Sequence, residues 1–236
     1  MSIAMRSDSA LRQVAHMLQL SDSALPVGGF SFSNGLESAI ACGVVYDAVS
    51  LEEFTFAAMR LVSTTDCVAA RVAHKAAQMG DFDPVIAADK ALFARKLNSE
   101  QRLMSQRMGR KMTELAAGFV EDAILARWAE VVACGATPAT CAVTQGVVFS
   151  ACGVEARSLF VAMLYGVETL ICNAALRLMR ITHHSTQRII FELSNRVDEL
   201  WQESITLGID DMYGFAPQLD LLVSLHEKGR SRMFMN

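Results

Sequence analysis

Between Glu155 and Ile181 the chain carries a segment that is apolar on almost every side of a helix. A helix of that kind belongs at the centre of a bundle or beneath a partner. Its most apolar part, Ser158–Ala175, is interrupted by Gly166, Glu168 and Asn173, so the sequence predicts a core helix and no membrane span. Hydrophobic residues make up 52% of the chain and charged residues 19%, which is too apolar for disorder. The surplus implies a large buried fraction, or apolar surface kept for partners.

The rest of the pattern is also helical. Leu11–Leu20 has apolar residues near helical spacing, and Leu36–Cys42 predicts a short helix stopped by Gly43. Ser50 and Glu53 read as a capping box opening one long helix to Met79, with Gly80 as its stop. Asp83-Pro84 and Thr137-Pro138 each read as a cap followed by proline, and Ser99 reads as the cap of a helix to about Phe119. Thr186–Leu207 predicts a further amphipathic helix, and a short one follows Pro217. Hairpin turns, repeats and low-complexity linkers are absent. The expectation is one all-α domain over residues 1–236, a bundle of roughly nine or ten helices.

The densest run of turn residues is Ser21–Glu37. Pro26 pushes Leu25 toward an extended backbone, while Gly28 and Gly29 allow positive φ or close approach. Phe30 and Phe32 are displayed from an irregular segment, and Asn34 with Glu37 reads as the start of the next helix. The loop lacks the Lys-Ser/Thr of a phosphate loop and the glycine spacing of a dinucleotide fingerprint.

Candidate chemistry is sparse. Net charge is −4, so nucleic-acid binding has no electrostatic basis, and no basic run marks a membrane surface. Six scattered cysteines without a Cys-x-x-Cys pair, and a start without an apolar leader, fit a cytoplasmic protein with buried thiols. His183 and His184 adjoin a helix break but point about 100° apart on a helix, which suits exposed turn residues better than a shared metal. His16 and His74 stand singly and read as packed or surface residues. Arg102, Arg107, Arg110 and Lys111 form a solvated basic face, with Glu100 two turns before Arg107. Gly109 inside that helix costs about 1 kcal/mol relative to alanine, a cost that makes sense where another helix packs closely. Met233, Phe234 and Met235 end the chain after two arginines, which predicts docking onto another protein, with self-packing or disorder as the alternatives. No catalytic set emerges. The rival from the enzyme class is a helical metal-dependent hydrolase built on the His183-His184 corner.

Leu25, Pro26, Gly28, Phe30, Ser33, Gly35, Leu36 and Glu37 follow the order Leu-Pro-x-Gly-x-Phe/Tyr-x-x-Ser-x-Gly-Leu-Glu. In this the chain resembles the UreF family of urease accessory proteins. Glu100, Arg102, Ser105, Met108 and Gly109 are similar to that family's mid-chain Glu-x-Arg and Met/Leu-Gly elements. Thr137-Pro138-Ala139, Gly146 to Phe149 and Gly153 to Glu155 resemble its Pro-containing loop and the helix beyond. Tyr165 falls where the family has a tyrosine on its long helix. Arg177 to Gln187 resembles its Arg-Leu-x-Pro-Leu-Gly-Gln corner, and Arg232 to Phe234 resembles its terminal Arg-Leu-Phe/Tyr. Departures fall at Asn34, Arg180, Thr182, His183, Thr186 and Asn236. The resemblance implies an all-α homodimer that is not an enzyme and holds no cofactor of its own. It implies a complex with UreD (also called UreH), recruitment of the GTPase UreG and delivery of nickel to apo-urease, with modulation of GTP hydrolysis as a further role. Tyr165, Arg177, His183, Gln187, Arg232, Met233 and Phe234 are then the expected partner-binding residues, the last three in a docking tail at about 230–236.

Overall fold

Small residues set the architecture before large ones fill it. The computed structural model describes residues 2–29, 32–214, 216–227 and 233–234. Within them the chain forms twelve helices and no strand: α1 (Ser2–Ser21), α2 (Leu36–Ala41), α3 (Ala48–Thr64), α4 (Asp66–Gln78), α5 (Asp83–Arg95), α6 (Ser99–Ala117), α7 (Ala123–Ala133), α8 (Cys141–Ala151), α9 (Ala156–Leu178), α10 (His183–Ser194), α11 (Val197–Ser204) and α12 (Pro217–Glu227). The most intimate contact is α4 on α8. The α4 face that is buried carries Ala69, Ala70, Ala73, Ala76 and Ala77. Against it lies Gly146, where an added Cβ would sit 2.3 Å from the Ala70 carbonyl oxygen. Only glycine allows that approach.

A second close approach involves Gly109. A Cβ there would lie 2.1 Å from the Ala139 carbonyl oxygen. The neighbour is therefore the turn before α8, not another helix. That turn is held by one buried carboxylate, Asp89 of α5, which accepts from Thr137 Oγ1 at 2.6 Å, Ala139 N at 2.7 Å and Thr140 N at 2.8 Å, and also from the Thr140 hydroxyl. Charge-assisted bonds of this kind hold a strained backbone, and Ala139 indeed has φ +62°. Thr137-Pro138 is thus a bound turn, and the helix expected from there begins only at Cys141.

Three more boundaries differ from expectation. The long helix predicted to Met79 is two, because Ser63, Thr64 and Thr65 turn their hydroxyls onto Arg60, Leu61 and Tyr213 carbonyls and the chain bends at Thr65. Such residues offer the backbone alternatives to the helix ladder. The capping box that opens α3 is Asp47 with Ser50, three residues before the predicted pair. The helix expected over Thr186–Leu207 starts at His183 and divides at Asn195 and Arg196. Helix α7 had no counterpart in the sequence reading, although Asp122 caps it through the Ile124 and Leu125 amides.

Helix α9 occupies the centre, touching α1, α2, α3, α4, α8, α10 and α11. By length and composition it could cross a membrane, which the interrupted sequence had not suggested, but 56% of its apolar window is buried inside this bundle. Its exposed residues include Arg157, Val161, Tyr165, Asn173 and Arg177. His74 is buried and donates from Nε2 to the Val154 carbonyl at 2.7 Å, tying α4 to the turn that opens α9.

Glycine replacements separate crowding from propensity. Gly146→Ala should destabilise by at least about 2 kcal/mol, since backbone must move to admit the methyl. Gly166→Ala, where a Cβ meets nothing within 4 Å, should be neutral or stabilising by up to about 1 kcal/mol. Urea unfolding of both variants checks the contrast.

Candidate partner-docking surface

The described residues of the Ser21–Glu37 segment form a run of turns. Asp22 starts it, its carboxylate accepting from Ala24 N at 2.8 Å and its carbonyl from Leu25 N at 2.9 Å. Gly28 has φ +87°, and Gly29 lies close to the Met108 methyl. The two freedoms expected of these glycines are thus divided between them. Pro26 is exposed, Ser33 and Leu36 are fully buried, and Phe30 lies outside the described residues. The cap of α2 is Gly35 at φ +80°, with no side-chain cap bond, so the Asn34–Glu37 box does not form. A Cβ at Gly35 would also press on Val223 of α12 at 3.0 Å.

Glu37 is used differently. Its carboxylate accepts from Met233 N at 2.8 Å and Phe234 N at 3.1 Å, nearly two hundred positions along the chain. Phe234 is buried, and the Arg177 guanidinium lies over its ring at 4.4 Å. Cationic stacking and two charge-assisted bonds therefore fix this part of the tail on its own chain. The Met233 side chain stays exposed, and Arg232 lies outside the described residues.

Loop, tail and α9 enclose a cleft of about 150 Å³ whose walls include Leu25, Phe32, Met108, Met163, Arg177 and Phe234. Methionine walls adapt to varied apolar shapes. The structure brings Arg177, Met233 and Phe234 together here, beside the loop. Tyr165 also lies on α9, about 18 Å from Arg177 along the axis at 1.5 Å per residue and about 120° around it, and is half exposed. His183 and Gln187 are exposed on the first turns of α10, which Thr182 caps by accepting from Ser185 N at 3.1 Å. They are on the far side of the 179–182 break from Arg177. On α6, Arg102 donates to the Lys96 carbonyl at 2.6 Å and lies over Phe93, a fixed position inside the fold. Glu100 is half-buried at the start of the same helix. Among the described residues no three His, Cys, Asp or Glu side chains gather as a metal ion would need, and the six cysteines are free thiols. Burial pushes the Cys141 and Cys172 thiols up to about 12, away from nucleophilic use.

The model of the UreF family matches residues 45–194. The chain belongs to the UreF family. A Brucella melitensis protein named urease accessory protein UreF 1 is 47% identical over 227 residues, 96% of this chain and 94% of that protein. The UreF 2 of Brucella canis is equally similar. The UreF of Yersinia pestis strain Pestoides F is 41% identical over 93% of this chain and 96% of its own length. The family makes this a urease accessory protein. The family model begins after the Ser21–Glu37 loop, whereas the relatives extend across nearly the full chain.

Sequence reasoning missed the long-range role of Glu37 and the cleft residues Met108 and Met163. No local signal distinguishes a carboxylate that caps its own helix from one that grips a distant strand of backbone. Glu37→Gln replaces one acceptor by a donor facing an amide. It should weaken the tail contact by about 1–2 kcal/mol and speed hydrogen exchange at Met233 and Phe234 while leaving global unfolding nearly unchanged.

Proposed function

We propose that this chain is a non-catalytic scaffold for urease maturation, working as a cytoplasmic homodimer. In this reading it binds UreD/UreH, recruits the GTPase UreG and helps bring nickel, as cargo, to apo-urease. The observation that carries it is full-length similarity to proteins named as urease accessory protein UreF. The geometry supports a docking role in a specific way. Arg177 and the tail meet at a methionine-walled cleft, and Tyr165 is a second exposed position on α9. The whole chain is one UreF-like unit, with the segment at about 230–236 as the docking tail for UreD/UreH. Tyr165, Arg177 and the 182–187 corner, with His183 and Gln187, form the surface toward UreG or the second protomer.

Co-purification with UreD/UreH tests the tail. Deleting residues 230–236 should abolish the complex, and unchanged binding would reject that assignment. Arg177→Glu should disrupt both tail seating and ternary assembly with UreG. Tyr165→Ala, three helical turns away, should impair ternary assembly while tail seating survives. Size-exclusion chromatography with light scattering reads both, and turnover by the isolated protein with bound metal would overturn the scaffold reading.

A further inference from the structure

Glu168 sits in the middle of α9 and is only 1% exposed. Among the described residues its hydrogen-bond partner is the hydroxyl of Ser194, at the last turn of α10, 3.5 Å from Oε2. That hydroxyl lies closer, 2.8 Å, to the Ile190 carbonyl oxygen. A serine has one hydrogen to give, and a carbonyl can only accept. The serine hydrogen therefore bonds Ile190 more closely, leaving only a weak donor at 3.5 Å for an ionised Glu168 and an oxygen able to accept from its neutral acid. An ionised carboxylate finds no strong donor in this arrangement. A neutral carboxylic acid completes it, with Glu168 donating to Ser194 and Ser194 donating to Ile190.

The surrounding charges do not alter this. On α10, His183, His184, Arg188 and Glu192 are exposed. On α3, Glu53 is exposed, Glu52 is half-buried and Arg60 holds Glu203 of α11 at 2.7 Å, while Asp198 and Glu199 of α11 are exposed. On α4, Asp66 holds Lys96, Arg71 donates to the Leu207 carbonyl, His74 to that of Val154, Lys75 is exposed and Cys67 is a buried thiol. On α1, Arg12 is exposed and His16 lies at the Cys152 carbonyl; on α2, Glu37 binds the tail; α8 carries only Cys141. Cys172, one turn along α9, is a neutral thiol. Burial first, tempered by the Ser194 hydroxyl, moves the Glu168 carboxyl from 4.5 to about 7.

We propose that Glu168 is a proton-dependent latch: as the neutral acid it fastens α10 to α9, and on losing its proton it leaves an unpaired charge in that contact and loosens α10. The proposal stands apart from the assembly reading, since it concerns the chain alone. The sign follows from the raised value in the folded state. The latch is fully present below 4.5, the ordinary glutamate value, and is lost as pH rises through about 7. Across that window the opening equilibrium of α10 should rise about tenfold per pH unit and then level off. His74, lowered by burial, works with the opposite sign: its contribution is present above 6.5 and lost as pH falls. Total stability mixes the two, so a local readout is required.

Hydrogen exchange of the full-length protein, corrected for intrinsic rates, should show protection over residues 183–194 falling across this window in the parent protein and staying flat in Glu168→Gln. The same pH course in both would overturn the latch. Carboxyl-labelled glutamate NMR on the unmodified protein needs no variant: a Glu168 resonance titrating near 7 supports the proposal, and one titrating near 4.5 rejects it.

Discussion

The bundle depends on two backbones touching where α4 crosses α8. Gly146 against the Ala70 carbonyl brings these helices closer than any side chain would permit, and the alanine face of α4 keeps the approach short along its length. The contact gains dispersion from dense packing of small groups, with little side-chain entropy to lose. Large residues then fill the space around the crossing. Trp128, fully buried, donates from Nε1 to Thr113 at 3.1 Å, and Phe82 lies 6.2 Å from its ring centre. Met59, Leu92, Phe149 and Leu164 close the remainder.

With α9 clasped by seven neighbours, its few exposed residues are held at fixed spacing. This links the core to the candidate docking surface. The helix cannot rotate without breaking the core, so Tyr165 and Arg177 keep a fixed separation. The loop and tail, by contrast, are fastened by a few polar bonds.

Much of the fold could be read from punctuation. Gly43 and Gly80, expected as helix stops, both have φ near +70°. The long apolar segment did become the central helix. Failures cluster where one residue type has two uses. Glu37 looked like a local cap and instead grips the tail; Thr137 looked like a cap and instead binds Asp89. Thr64 and Thr65 sit inside a helical pattern yet end a helix, because their hydroxyls find carbonyls in the preceding turn and at Tyr213. The partners of Glu37 and Thr137, and that of Thr64 at Tyr213, lie outside any local window, so periodicity could not show them. Arg177 and the tail were legible as separate features, but their stacking depended on the fold.

Glu37 reads the tail through amide hydrogens, which every residue except proline possesses. Side-chain identity enters only at Phe234, under the Arg177 plane. Recognition of this kind tolerates drift at Met233 while forbidding proline at either position, so residue 233 can change without this contact losing its hold on the tail.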